Sequence, residues 1–275
     1  MKYYIQGEKV NLNKPKVAGI LNLTEDSFFD GGCYDTEKKA LLQVEKLISE
    51  GADFLDIGGQ STRPGSKFIT ADEELKRVIP IIKIIKKEYP KIKLSIDTFW
   101  SKVANESVQE GVCMINDVSG GTLDPQMLPT IGRLKVPYVL MHMRGTPQTM
   151  NQYTKYENLV ENVVQYFEEK IKEAKNFGIE NLFLDPGFGF SKTLEQNYEL
   201  LNQLDQLKKF NLPIYIGISR KKMIYETLNI SVNEALVGTS ALHLYALLQG
   251  ANVLRVHDVK EAKQMIILAK QIKSN

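Results

Sequence analysis

Eight short apolar runs recur along this chain with helical patterns between them, and that alternation leaves few folds open. The runs cover residues 17–21, 54–57, 94–96, 114–115, 138–141, 182–184, 214–218 and 253–256. Their nearly unbroken apolar character is that of parallel strands covered on both faces. The helical patterns repeatedly close at a glycine just before the next run: Gly51 in SEGADFLDI, Gly111 in QEGVCMIN, Gly178 in NFGIENLFLD and Gly250 in LQGANVLRV. A glycine there supplies the left-handed residue that ends a helix. Helix starts are legible too. Thr70 with Glu73, and Thr154 with Glu157, have capping-box spacing. Leu75, Val78, Ile79 and Ile82 then keep helical periodicity, as Leu41, Val44, Leu47 and Ile48 do in the preceding helix.

A doubly wound open sheet alternates in the same way, so periodicity does not separate it from a (β/α)8 barrel. The polar residues at the strand ends do. GILN ends at Asn22, DIGGQSTRPG starts at Asp56, LSID ends at Asp97 and MIND reaches Asn116. LFLDPGFGF contains Asp185, YIGISRK reaches Lys221, and VLRVHD carries Arg255 and His257. An open sheet gathers its site at one switch point, whereas all strand ends of a barrel face one pocket. We therefore expect a TIM barrel occupying residues 1–275 as a single domain, with residues 1–13 adding a hairpin or strand at the opposite end.

At 275 residues the chain buries a large core, and 43% hydrophobic with 25% charged residues is an ordinary globular composition. A net charge of +2 argues against a nucleic-acid partner, which would require a clustered basic excess. No run approaches the roughly 20 apolar residues that span a bilayer, and MKYYIQGEKV lacks the apolar core of a signal peptide. Cys33 and Cys113 form no CxxC and have no histidine at ligand spacing. A reducing cytosol suits them better than a disulfide, so a cytoplasmic protein is expected.

Asp97, Asn116 and Asp185 each close a different strand. Two carboxylates and an amide facing a partly dry pocket suit a flat heterocycle with several N–H donors. The alternative is that each caps a helix or ties down a loop. Arg63, Lys221, Arg255 and His257 form a cationic set suited to phosphate groups, although Arg63 or Arg255 taken singly reads equally well as a surface ion-pair partner. Arg255 and His257, at alternate positions, share one face. Asn22 and the acidic TEDSFFDGG offer hard oxygens to a Mg²⁺ that also takes phosphate oxygens. GGQSTRPG and PGFGF match neither nucleotide-loop pattern and read as rim loops. Phe188 and Phe190 are packing residues or, for one of them, the wall of an aromatic substrate site. His142 reads as a hydrogen-bonded histidine rather than a catalyst.

These strings, in this order, resemble the dihydropteroate synthase family over nearly the whole chain, from GILNLTEDSFFDGG to RVHDV. The resemblance implies a (β/α)8 barrel, usually dimeric, inhibited by sulfonamides. It implies condensation of 6-hydroxymethyl-7,8-dihydropterin diphosphate with 4-aminobenzoate, giving 7,8-dihydropteroate and diphosphate with Mg²⁺ as cofactor. Carried over by position, Asp97, Asn116, Asp185 and Lys221 bind the pterin, and Arg255 packs on it and touches the diphosphate. Asn22 is the Mg²⁺ ligand, and His257, Arg63 and Thr62 lie on the diphosphate side. Thr62, Arg63, Pro64, Phe190 and Ser219 form the aminobenzoate pocket. Asn22, Arg63, Lys221, Arg255 and His257 are the implied catalytic set. Residues 23–32 and 58–67 are the implied closing loops. Three positions depart from the family: Glu25 where many members have Pro, Gln60 for a common Glu, and Lys222 where several have Ser. A corrinoid-type pterin-binding methyltransferase shares the barrel but needs no diphosphate apparatus, and a non-catalytic paralogue should have lost a rim residue. The full cationic set argues against both.

Overall fold

The computed structural model describes residues 2–5, 7–23, 33–61 and 67–274. After a two-stranded antiparallel hairpin, β1 (Lys2–Ile5) and β2 (Glu8–Asn11), come eight parallel strands. They are β3 (Lys16–Asn22), β4 (Phe54–Gly58), β5 (Lys93–Asp97), β6 (Met114–Asp117), β7 (Tyr138–Met141), β8 (Leu182–Asp185), β9 (Tyr215–Ile216) and β10 (Val253–Val256). Their order in the sheet is β8-β7-β6-β5-β4-β3-β10-β9. A parallel bridge between Leu184 and Ile214 joins the two outer strands, so the sheet closes on itself as a (β/α)8 barrel. Helices between successive strands wrap the outside. Every expected strand is present. The 214–218 run narrows to the two residues of β9: Ile214 gives its N–H to the Asn252 side chain at 2.8 Å, and Arg220 beyond the run turns left-handed (φ 53°).

The four helix-closing glycines all have positive φ, from 71° at Gly178 to 116° at Gly250. The capping box at Thr70 and Glu73 opens the helix Ala71–Glu88. The expected box at Thr154 and Glu157 does not form. The helix starts later, at Leu159, with the Asn158 side chain accepting the Glu161 N–H at 3.2 Å. Asn158 sits directly before the apolar pair Leu159 and Val160 that the core takes up, so burial decides which of two capping spacings is used. Cys113 is a buried free thiol that donates to Leu94 O, whereas the Cys33 side chain lies outside the described residues. Among the described residues no helix is long and apolar enough to cross a membrane.

The hairpin closes the N-terminal end of the barrel. Tyr3, Ile5, Val10 and Leu12 pack against Ala18, Phe54, Met114, Val139, Phe183, Tyr215 and Val253, the lowest residues of the strands. Tyr3 also donates to Leu182 O at 3.0 Å and packs on Phe183 at 5.2 Å between ring centroids. The charged groups near this end, such as Lys16, Asp53 and Lys263, pair with one another around the plug.

Candidate active site at the barrel mouth

Strand register brings the polar strand ends to one level. Asn22 pairs with Gly58, Gly58 with Asp97, Asp97 with Asn116, and, across the barrel, Met141 with Asp185. Asp97, Asn116 and Asp185 are all buried. None of the three is used as a helix cap. Asp185 does anchor its own loop, accepting the Gly187 N–H at 2.8 Å through Oδ1. Arg255 is no surface residue: its guanidinium bridges Asp56 (Nε to Oδ2, 2.5 Å) and Asp97 (Nη2 to Oδ2, 2.7 Å). Asn116 Nδ2 donates to the same Asp56 oxygen at 3.0 Å.

This packing of charge has a price. Burial raises Asp97 to about 7 against the pull of Arg255, with Asp56, Asp117 and Asp185 adding to the rise. Burial also raises Asp185, opposed by Lys221. Burial disfavours the Arg255 cation, but Asp56 and Asp97 outweigh it and hold the proton on. Lys221 is lowered to about 8 by burial, with Asp185 resisting. Groups shifted in this way and gathered at one strand-end level mark the mouth as the candidate for ion-binding or acid–base chemistry.

Lys221 donates to Phe188 O and lies 4.5 Å from the centroid of the Phe190 ring. The two phenylalanines separate here. Phe188 is fully buried in the main core, whereas Phe190 is half-buried at the mouth beside Phe99, Val118, Met141, Met143 and Met150. Ser219 Oγ accepts the His257 backbone N–H at 3.2 Å and lies 3.0 Å from His257 Nδ1, so these two predicted residues meet. Between Ser219 and Lys221, Arg220 turns outward and grips Asp258 with two bonds of 2.8 Å. That ion pair ties the loop after β9 to the loop after β10. Thr62, Arg63 and Pro64 lie outside the described residues, as does Glu25.

A family profile described as pterin binding enzyme matches residues 18–257. The dihydropteroate synthase of Escherichia coli K12 is 42% identical over 263 residues, covering 95% of this chain and 93% of the relative. The chain belongs to the dihydropteroate synthases. Among solved structures, a Yersinia pestis dihydropteroate synthase in a sulfonamide drug complex superposes with a TM-score of 0.93 at 38% identity, covering 100% of this chain and 99% of the other. The Xanthomonas albilineans enzyme in complex with 7,8-dihydropteroate gives 0.89 at 35%, covering all of both chains.

In this synthase, several supporting residues were not singled out by sequence reading. Asp56 is one, placed at a strand end but given no role; it sits in the middle of β4, fully buried, two residues below the rim. Lys192 is another. Its ammonium donates to Gly187 O (2.9 Å) and Phe190 O (3.0 Å) and reaches His142 Nδ1 (3.0 Å), tying down the Phe190 loop. Burial, reinforced by Lys192 and Arg144, keeps His142 well below its ordinary pKa, so a neutral ring accepts from the lysine. Gly187 is needed in that loop, since it has φ 71° and a Cβ would come within 2.0 Å of His142 O. Asp117 of INDVSGG takes the N–H groups of Ser119 and Gly121 and the Tyr138 hydroxyl, and so shapes its loop. Gln60, the departure from Glu, donates to Ser61 O (2.8 Å) and Lys67 O (3.0 Å), which an ionised carboxylate does not do. Lys222 points along its helix to Glu226 at 3.5 Å and is exposed.

Proposed function

We propose that this chain joins 6-hydroxymethyl-7,8-dihydropterin diphosphate to 4-aminobenzoate in folate biosynthesis, releasing diphosphate. The observation that carries the reading is the meeting of Asp97, Asn116, Asp185, Lys221 and Arg255 at one barrel mouth. The relative that holds 7,8-dihydropteroate on the same fold supports it. Asp185, Asn116 and Asp97 take the donor-rich amino-pyrimidine edge of the pterin, with Lys221 on the same ring. Arg255, packed over the pterin, and His257 face the diphosphate, with Arg63 and Thr62 on the same side. Negative charge grows on the departing oxygen as the C–O bond breaks, and preorganised cations lower that barrier without reorganising. The neutral aniline nitrogen of 4-aminobenzoate, held by Thr62, Arg63, Pro64, Phe190 and Ser219, then attacks the pterin methylene cation. Closure of loops 23–32 and 58–67 keeps water from that cation; Gln60, pinning Ser61 and Lys67, supports a defined base for the second loop.

Mg²⁺ fits this donor set as a shared ion. Among the described residues no three acidic, histidine or cysteine side chains cluster to hold a metal alone. A Cβ on Gly58 would lie 3.5 Å from Asn22 Oδ1 and 3.8 Å from Asp97 Oδ2, so Asn22 sets one hard oxygen on the same side of that glycine as the carboxylate. Asn22 would hold the ion, with diphosphate and water completing its shell, and the ion supplies charge neutralisation of the leaving group. The homodimer belongs to the same proposal, supported by exposed apolar Leu228, Val232 and Val237 on successive elements; sedimentation velocity tests it.

The test of the reaction is incubation with the pterin diphosphate, 4-aminobenzoate and Mg²⁺. Diphosphate release together with dihydropteroate formation is expected. Tight pterin binding without product would instead favour a binding role.

A further inference from the structure

Asp56 is fully buried on β4, paired in register with Ser95 and two residues below the rim glycine Gly58. Its Oδ2 accepts from both Arg255 Nε and Asn116 Nδ2, and its Oδ1 has no partner among the described residues. An amide has two faces, one donating and one accepting. A carboxylate beside it can receive only the donating one. With Nδ2 so engaged, Asn116 keeps its carbonyl oxygen for a ligand, and no described residue donates to that oxygen. The same Asp56 oxygen sets the edge by which Arg255 is gripped, leaving Nη2 to Asp97.

We propose that Asp56 is a positioning residue that holds the Asn116 amide with its carbonyl toward the substrate ring and fixes the plane of the Arg255 guanidinium. Asp56 itself touches no substrate. This rests on the pterin diphosphate reading above. It implies that the ring atom meeting Asn116 is an N–H donor, and that loss of Asp56 harms recognition through Asn116 and turnover through Arg255.

The experiment is a double-mutant cycle read by calorimetric binding of 6-hydroxymethylpterin and by steady-state turnover. D56A removes the one oxygen, Oδ2, that accepts from both Asn116 Nδ2 and Arg255 Nε. It is expected to weaken pterin binding at least tenfold and to lower kcat as well as raise KM. In an N116A background the same change should alter pterin affinity less than threefold, because the group it acts through is gone. A merely structural role would lower the melting temperature equally in both backgrounds and leave no such coupling. Full pterin affinity in D56A, or an equal loss in both backgrounds, overturns the proposal. Should D56A fail to fold, the unaltered chain still decides. Its Asn116 side-chain amide protons, assigned by NMR through their absence in N116A, should stay protected from exchange with and without pterin. Protons that become engaged only on pterin addition would overturn the proposal. If the unaltered chain binds no pterin at all, the functional reading falls first; if it binds and D56A binds equally, only the role of Asp56 falls.

Discussion

The two ends of the barrel are built from the same strands a few residues apart, and they solve opposite problems. At the N-terminal end, Ala18, Phe54, Val139, Phe183 and Val253 turn apolar side chains inward and the hairpin covers them with Ile5 and Leu12. At the mouth, the barrel strands carry Asn22, Asp97, Asn116, Asp185 and Arg255. One end is stabilised by burial, at roughly 25 cal/mol per Å² of apolar surface. The other holds carboxylates and cations whose desolvation is offset by one another and by a few hydrogen bonds, such as that from the Gly187 N–H to Asp185. Stability and chemistry are thus divided along the length of each strand, which is the usual division in this fold.

Arg255 is where the division should break most severely. Removing it in R255A leaves Asp56 and Asp97 buried without their cation, a loss of about 3–5 kcal/mol by analogy with broken buried pairs. Chemical denaturation should show that loss, and turnover should fall with it because the charge facing the leaving group is gone. Unchanged turnover would remove Arg255 from the chemistry. At the opposite end, L12A should cost about 2–5 kcal/mol through transfer and cavity terms. Its KM for either substrate should match that of the unaltered chain at a temperature where both are folded. A raised KM would mean that the plug communicates with the mouth.

D185N sharpens the comparison in the other direction. It sets an amide donor against ring donors, a mismatch of about 1–3 kcal/mol for each buried group. Pterin affinity measured by calorimetry should fall about tenfold to a hundredfold, while the melting temperature holds or rises, since a carboxylate resisting burial has been removed. The smallest effect concerns a single proton. Folded Asp97 keeps its proton up to about 7, whereas the unfolded chain releases it near the ordinary carboxylate value. The folded state therefore binds more protons between those values, and stability falls as pH rises through that window. D97N should flatten this fall, so that the unaltered chain gains on the variant as pH is lowered from 7 to 5. Parallel melting curves for the two would show that Asp97 does not hold that proton.

Much of this was legible because it is local. A run of apolar residues, a glycine that closes a helix and a polar residue at a strand end are neighbours in sequence, and their backbone preferences act over a few residues. The barrel, the plugging hairpin and the level at which Asp97, Asn116 and Asp185 stand follow from such signals. Which of two local signals prevails was not legible: Asn158 displaced Thr154 as the helix cap because the core claims Leu159 and Val160. Phe188 and Phe190, alike and two apart, parted only when one was buried and the other met Lys221.

The sequence by itself determined the alternation of elements, the fold class and the residue types gathered at the mouth. The tertiary structure decided how those residues bind one another. Arg255 and Asp56 are 199 positions apart, Lys192 and His142 are 50 apart, and Arg220 and Asp258 are 38 apart. Side-chain pairing at such separations depends on barrel closure and strand register, because only these bring the groups within hydrogen-bonding distance and remove the water that would otherwise compete.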